Sequence, residues 1–298
     1  VIELKGPPVY VKHEVVHNKT VVDELRELGA VFVEEISEIP SGSTVIYSAH
    51  GVSKEVQSQS EIIDLNIYDA TCPLVSKVHS EVELHSRAGR DCILIGHENH
   101  PEVEGTMGQY DTSKGGKIYL VQSKDEAQKI LVQDPKNISF VTQTTLSVDD
   151  TQEIIKILKE RFPLIIGPRK DDICYATQNR QDAVKQLALE SDLILVIGSK
   201  SSSNSNRLRE IAERSGVEAY LIDTAEDLSF NWFKDKDVIG ITSGASAPEH
   251  LVGELLEKLS ENFDIDLKKG EDRQDEGIFF KLPKELRNWG KKWKKLII

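Results

Sequence analysis

The sequence lacks the features that would place it in a membrane or among disulfide-stabilised secreted proteins. It has only three cysteines in 298 residues, and an odd number of cysteines in a chain this long does not make a disulfide framework. It contains no apolar run long enough to span a bilayer and no signal peptide with a basic start and a small-residue cleavage site. We therefore expect a cytoplasmic protein without an integral membrane segment.

A surplus of basic residues is also missing. Lysine and arginine total 37 against 50 aspartates and glutamates, which gives a formal net charge of −13. A generic nucleic-acid binder carries a basic face, so we expect no nucleic-acid partner. An anionic ligand would have to be attracted by local groups against this overall charge. The length and the 39% apolar content are those of an ordinary globular protein with two or three domains.

Short apolar segments alternate with amphipathic helical patterns along the chain. This alternation predicts an α/β protein with mainly parallel sheets, built as three small α/β units. The opening residues, 1–6, resemble the last turn of a helix followed by its glycine stop, so we expect the residues before them to have been lost. The predicted strands lie at 8–13, 31–34, 44–47, 64–68, 92–95, 118–121, 138–141, 164–166, 193–197, 220–222, 238–241 and 278–280.

Two cysteines lie where a metal ligand is favoured. Cys72 follows a predicted strand and precedes Pro73, which opens a helical pattern; Cys174 is predicted to end a short strand before another helix. The positive end of a helix dipole favours the thiolate, the form that binds a metal or a metal–sulfur cluster. The alternative for any intracellular cysteine is a small buried apolar residue. We prefer that alternative for Cys92, which begins an apolar strand.

The Ser/Asn-rich loop at 199–206 predicts an anion site. It joins an apolar strand to a helix start, where free backbone N–H groups and the helix dipole favour phosphate. Ser246, before Pro248, occupies a similar position at another helix start. The loop lacks the glycine spacing of a P-loop. A simple helix cap in a surface loop is the alternative.

Histidines and one glutamate also follow predicted strands. Because ligands bind outside the carboxyl ends of parallel strands, His50, His97 and His100 are candidates to donate to phosphate or to bind a metal. His97, His100, Cys72 and Glu102 together would also suit zinc, although this spacing is a weak metal signal. Glu102 is the natural proton donor among these groups, unless it is an ordinary solvated glutamate.

Several long motifs together closely resemble the 4-hydroxy-3-methylbut-2-enyl diphosphate reductase (LytB) family. One of them is His100-Pro101-Glu102-Val103-Glu104-Gly105-Thr106, and the likeness runs in unbroken order from about Gly6 to Leu286. The family implies reduction of (E)-4-hydroxy-3-methylbut-2-enyl diphosphate to isopentenyl and dimethylallyl diphosphate, the last step of the methylerythritol phosphate route to isoprenoids. The remaining motifs lie at 13–18, 48–53, 69–75, 96–110, 142–150, 167–177, 198–208 and 244–248.

The resemblance also implies a role for individual residues. Cys72 and Cys174 match two of the three ligands of a [4Fe–4S] cluster, and the family takes its electrons from a donor such as ferredoxin or flavodoxin. Glu102 matches the proton donor, and Thr144 a residue that positions substrate and water. The residues that match the diphosphate pocket are His17, His50, His100, Ser202, Ser203, Asn204 and Ser246.

The family's first cluster ligand lies in a Phe-Cys-Ala-Gly segment that these 298 residues do not contain. We expect a truncated chain that, as given, holds no stable catalytic cluster. The expected arrangement is three α/β domains around a central cluster cavity. The first domain covers 1–72, lacks its N-terminal strand and helix and is completed by 264–286; the second covers 73–170, the third 171–263, and 287–298 is a basic tail. A zinc hydrolase of a phosphorylated substrate and a non-catalytic diphosphate-binding protein remain the alternatives.

Overall fold

Three parallel β-sheets with flanking helices form the described part of the chain. The structure is a computed structural model that describes residues 1–268 and Leu286. The strand predicted at 278–280, the basic tail at 287–298 and most of the 264–286 segment lie outside the described residues. The predicted fold class, α/β with parallel sheets, is confirmed. The domain boundaries stay a prediction.

The first sheet has the strand order β2-β1-β3-β4, with all neighbours parallel. Its central strands are buried against Ile36 and Ile39 on the connection between β2 and β3. The elements are α1 (Ile2–Lys5), β1 (Val9–Lys12), α2 (Lys19–Glu27), β2 (Ala30–Val33), β3 (Thr44–Tyr47), α3 (Lys54–Ile62) and β4 (Asn66–Asp69).

The second sheet has the order β6-β5-β7. Every residue of β5 and β7 is buried, because helices cover both faces of the sheet and each face needs an apolar surface. The elements are α4 (Pro73–Arg87), β5 (Asp91–Ile95), α5 (Pro101–Met107), β6 (Ile118–Val121), α6 (Lys124–Lys129), β7 (Ile138–Thr142) and α7 (Val148–Arg161).

The third sheet repeats this arrangement with the order β10-β8-β9. The central strand β8 is buried along its whole length, between one cluster around Leu208 and another around Leu255. The elements are α8 (Tyr175–Leu187), β8 (Leu193–Ile197), α9 (Ser203–Arg214), β9 (Glu218–Ile222), β10 (Ile239–Ser243) and α10 (Glu249–Ser260).

The prediction of a strand before Cys174 was wrong. Only a single bridge joins Ile166 to Ser139, and the residues from 167 to 174 are irregular. Pro168 has no N–H to donate to a ladder. Gly167 lies so close to the Phe140 ring that a Cβ there would come within 2.6 Å of it. The pairing with β7 therefore ends at once, but Cys174 still caps α8 as predicted.

Candidate active site

Three histidine rings from different segments come together where the first and second sheets meet. His17 follows β1, His50 follows β3, and His100 caps α5, accepting a hydrogen bond from the Glu102 backbone N–H at 3.2 Å. The ring centroids are 4.4 Å apart for His17 and His50, 5.3 Å for His17 and His100, and 5.6 Å for His50 and His100. We call these three residues the histidine trio.

Two members of the histidine trio, His50 and His100, are uncharged at neutral pH. Burial, and then the neighbouring histidines, lower the pKa of His50 to about 3 and that of His100 to about 4. At neutral pH these rings are neutral imidazoles, each with one N–H donor. The buried Nε2 of His17 has no hydrogen-bond partner among the described residues. A buried polar atom of this kind is ready to accept or donate a bond to a ligand.

Glu102 lies beside the trio with both carboxylate oxygens bonded to one residue. Thr144, just after β7, donates its backbone N–H to Oε1 at 2.6 Å and its hydroxyl to Oε2 at 2.9 Å. Glu102 is 3% exposed, and burial raises its pKa to about 7 although both bonds from Thr144 act to lower it. The carboxyl group can therefore hold or release a proton near neutral pH.

The Ser/Asn loop brings uncharged donors from the third sheet to the same place. Ser202 caps α9, and the Ser203 hydroxyl donates to the Thr145 carbonyl at 3.2 Å. Ser246 donates to the His17 carbonyl at 3.2 Å. The Asn204 side chain is buried, and neither its Nδ2 nor its Oδ1 has a partner among the described residues. An unpartnered buried amide next to a helix N-terminus suits an anionic ligand.

Both predicted cysteine ligands join this network through the backbone. The Cys72 N–H donates to the Ala49 carbonyl, next to His50, and the Cys174 N–H donates at 2.9 Å to the carbonyl of Thr144. Neither cysteine forms a disulfide, both are half-buried, and each is the N-cap of a helix. Thr144 thus contacts the proton-donor candidate through its N–H and a cysteine segment through its C=O.

Cys92 does not belong to the site. It is fully buried in β5, and burial raises the pKa of its thiol to about 12, so it stays an inert thiol. This agrees with the expectation that Cys92 packs in a core.

These residues suit a cluster ligand set only in part. Cys72 and Cys174 each place a thiol at a helix N-terminus, and thiols are the donors that iron–sulfur clusters use. Among residues 1–268, no three side chains of His, Cys, Asp or Glu converge into a metal-holding group. The described residues therefore supply two candidate thiol ligands and no candidate for a third.

The His97 ring does not join the histidine trio. It lines a cavity of about 280 Å³ with Arg207 between the second and third sheets. Its backbone N–H donates to Gln143, and its carbonyl accepts the His100 N–H at 3.3 Å. Burial and the nearby Arg207 charge lower its pKa. Both oxygens of Glu102 are already bonded to Thr144. The described residues therefore offer no zinc site of His97, His100, Cys72 and Glu102.

Comparison with known proteins identifies the family. The profile of the family described as LytB protein matches residues 1–260. The chain belongs to the LytB family. LytB relatives named 4-hydroxy-3-methylbut-2-enyl diphosphate reductase include one from Pseudomonas putida strain GB-1, which is 60% identical over 286 residues, covering 96% of this chain and 90% of the relative. Another, from Acinetobacter baylyi, is 57% identical with the same coverage.

Two solved structures of LytB-type reductases share the architecture. One, the E-1-hydroxy-2-methyl-but-2-enyl-4-diphosphate reductase from Plasmodium falciparum, is 36% identical and superposes with a TM-score of 0.91 over 98% of this chain and 91% of that one. A second, described as (E)-4-hydroxy-3-methyl-but-2-enyl diphosphate reductase, is 32% identical with a TM-score of 0.62, covering 87% of this chain and 90% of that one. The resemblance drawn from the motifs is confirmed.

Sequence reasoning missed two residues that hold this LytB site together. Lys77 on α4 contacts Asp172, two residues before Cys174, at 2.8 Å. The contact joins positions 95 residues apart, so no local pattern announces it. The only available signal was that both residues lie within five positions of a candidate cysteine.

None of the helices in residues 1–268 combines the length and apolar character that crossing a bilayer requires.

Proposed function

We propose that this chain is a LytB-type reductase that removes the hydroxyl group of (E)-4-hydroxy-3-methylbut-2-enyl diphosphate and yields isopentenyl and dimethylallyl diphosphate. The observation that carries the proposal is the buried Glu102–Thr144 pair beside three converging histidines. It combines a proton source near neutral pH with uncharged donors for an anion. The names of the relatives from Pseudomonas putida and Acinetobacter baylyi support this substrate.

The diphosphate group is bound by donors that follow strands of all three sheets. The histidine trio supplies imidazole N–H groups from the first and second sheets, and the Ser/Asn loop supplies hydroxyls, an amide and a helix N-terminus. Because His50 and His100 are neutral in the free protein, the site avoids the desolvation penalty of a buried cation until an anion binds. The residues proposed to bind the diphosphate are His17, His50, His100, Ser202, Ser203, Asn204 and Ser246.

Glu102 delivers a proton to the leaving hydroxyl. Hydroxide is a poor leaving group, and protonation of its oxygen lets it depart as water. The raised pKa of about 7 keeps a large share of Glu102 protonated at neutral pH. Thr144 holds both oxygens of the carboxyl group, so the proton is presented in one direction.

Cys72 and Cys174 are proposed as two ligands of a [4Fe–4S] cluster. When bound, such a cluster supplies electrons and an open iron that acts as a Lewis acid on an oxygen ligand. The residues of this chain contribute the two thiolates at helix N-termini and the surrounding half-buried wall. A small electron-carrier protein such as ferredoxin or flavodoxin is the proposed donor, and the cytoplasm stays the predicted location.

The test is anaerobic reconstitution of the protein with iron and sulfide, followed by addition of the substrate and a reduced electron carrier. With these 298 residues alone we expect incomplete, unstable binding of iron and sulfide and little turnover. With the same chain preceded by the family's Phe-Cys-Ala-Gly segment we expect stable brown protein and both five-carbon diphosphates as products. Cys72→Ser and Cys174→Ser should each lower the bound iron, whereas Cys92→Ser, the matched control, should not. Colourless protein that binds zinc and releases phosphate would indicate a hydrolase. Binding of the substrate without iron or turnover would indicate a diphosphate-binding protein.

A further inference from the structure

An ion pair with a buried carboxylate joins the two segments that carry Cys72 and Cys174. The ammonium group of Lys77, five residues after Cys72 on α4, donates to Asp172 Oδ1 at 2.8 Å and to the backbone carbonyls of Lys170 and Asp171. The other carboxylate oxygen, Oδ2 of Asp172, accepts the Thr142 backbone N–H at 2.9 Å. We call this set, Lys77, Asp172 and the Thr142 N–H, the Lys77–Asp172 bracket.

We propose that the Lys77–Asp172 bracket fixes the separation between Cys72 and Cys174. Each of its three members belongs to a different part of the site. Lys77 lies on α4, the helix that Cys72 caps. Asp172 lies two residues before Cys174, the N-cap of α8. Thr142 is the last residue of β7, two residues before Thr144. One carboxylate therefore sets three segments relative to one another.

The burial of Asp172 makes the bracket rigid. Its side chain has 0% exposure, and the Lys77 side chain has 27%. A buried carboxylate is stable only when it is paired and hydrogen-bonded, and both oxygens of Asp172 are used. Burial raises the pKa of Asp172, while Lys77 is the main group that lowers it. The two side chains cannot separate without leaving a charge unpaired in the interior.

The segment that the bracket holds has little other regular structure. Residues from 167 to 174 form no strand, so no ladder of backbone hydrogen bonds aligns them with β7. The Cys174 N–H does bond to Thr144, which fixes the end of the segment next to α8. The bracket fixes it from the other side, toward α4. Two constraints on an irregular segment define the position of the cysteine between them.

The proposed function explains why this separation matters. A metal–sulfur cluster accepts thiolates only within a narrow geometry, so ligands held in advance bind it with less loss of conformational freedom. Lys77 and Asp172 are thus positioning residues that act through the cysteines. The separation itself is a property of the chain alone. Its measurement on cluster-free protein fails or succeeds independently of whether the protein is a reductase.

The experiment attaches nitroxide labels to the cysteines of the cluster-free protein and measures the distance between them by electron paramagnetic resonance. Cys72 and Cys174 are half-buried and accessible to a methanethiosulfonate reagent, whereas Cys92 is fully buried and stays unlabelled. The test variant is the double substitution Lys77→Met with Asp172→Asn, which removes both charges together. The matched control is Lys185→Met, because Lys185 also pairs with an aspartate on a distant segment, Asp149, at 2.8 Å.

We expect one narrow distance population in the wild-type protein and in Lys185→Met. The double variant should give a distribution roughly twice as wide, since the irregular segment gains freedom when the bracket is lost. A folded double variant, with the wild-type circular dichroism spectrum and the wild-type distance distribution, overturns the proposal. If the double variant does not fold, Asp172→Asn alone decides, because it keeps the shape and an acceptor for Thr142: a widened distribution supports the bracket and an unchanged one overturns it.

Discussion

Thr144 donates hydrogen bonds to both carboxylate oxygens of Glu102, at 2.6 Å from its N–H and at 2.9 Å from its hydroxyl. Because the Thr144 carbonyl also accepts the Cys174 N–H, one residue connects the proposed proton donor to a proposed cluster ligand. The pair lies in a buried setting that raises the pKa of Glu102 to about 7. The arrangement orients a group that can exchange its proton at neutral pH.

Replacing Glu102 with glutamine should abolish proton delivery and leave the fold intact. Glutamine has nearly the same shape and can still accept the Thr144 N–H, but it has no acidic proton. We expect turnover to fall by a factor of about 10²–10⁴, the usual contribution of a positioned acid. Product formation measured beside the thermal unfolding midpoint checks this. Near-wild-type turnover in the variant would remove Glu102 from the proposed role.

The pKa of Glu102 predicts how stability changes with pH. Its pKa in the folded protein is about 7, raised from 4.5. The folded state therefore binds a proton that the unfolded state releases, and this contribution is full below pH 4.5 and is lost as the pH rises through about 7. The unfolding free energy of the wild type relative to Glu102→Gln should fall by about 3 kcal/mol across that window. Denaturant titrations of both proteins at several pH values measure this difference. If the unfolding free energy of the wild type rises with pH relative to that of Glu102→Gln, the predicted sign is wrong.

The hydroxyl group of Thr144, more than the size of its side chain, should determine the stability of the protein and the pH profile of turnover. In Thr144→Val, Oε2 of Glu102 loses its partner in a buried position, which costs about 1–3 kcal/mol of stability and further raises the pKa of Glu102. Thr144→Ser keeps the hydroxyl and is the matched control. We expect the pH profile of turnover to shift upward in the valine variant alone. Identical profiles for the two variants would indicate that the hydroxyl has no such influence.

Substitution by alanine should affect ligand binding at Asn204 and protein stability at Asn206. Neither Asn204 side-chain atom has a partner among the described residues, whereas Asn206 donates to the Lys200 carbonyl at 2.7 Å and to the Ser202 carbonyl at 2.9 Å. Asn204→Ala should leave the unfolding midpoint unchanged or raised and weaken pyrophosphate binding about tenfold or more, or about 1.4 kcal/mol.

Asn206→Ala is the matched control for that change. It should lower the unfolding free energy by about 1 kcal/mol per lost bond. Thermal unfolding and calorimetric titration with pyrophosphate measure both quantities. A clear loss of stability in Asn204→Ala would mean that its amide serves the fold and not a ligand.

Anion binding at the histidine trio should be coupled to proton uptake. The pKa values of His50 and His100 lie near 3 and 4 in the free protein because of burial. A bound pyrophosphate places negative charge beside them and raises both values, so affinity should increase as the pH falls from about 8 to about 6. Calorimetry in two buffers of different ionisation enthalpy counts the protons.

Two substitutions isolate the contribution of the trio from the titration of pyrophosphate itself. His50→Gln should take up fewer protons than the wild type. His250→Gln, on the exposed side of α10, should match the wild type. If all three proteins take up the same number of protons on binding pyrophosphate, the histidine trio does not contact the anion.

Much of the fold followed from local pattern. The strands at Thr44–Tyr47, Ile118–Val121 and Leu193–Ile197 have the bounds that their apolar runs predicted. Asn18 caps α2 as expected, accepting the Val21 N–H at 3.1 Å. The strand before Cys174 failed, because Pro168 and the close approach of Gly167 to Phe140 decide against pairing there. An apolar triplet cannot reveal such a contact with a distant ring.

The order of elements, the two thiols at helix starts and the family motifs were determined by the sequence itself, since each depends on residues that are close along the chain. Which of the candidates meet was decided only by the tertiary structure. It joined Glu102 to Thr144 and Lys77 to Asp172, and it placed the His97 ring in a different cavity from the histidine trio. The pKa values of Glu102 and His50 arise in the same way, because burial is a property of the packed molecule and not of any segment.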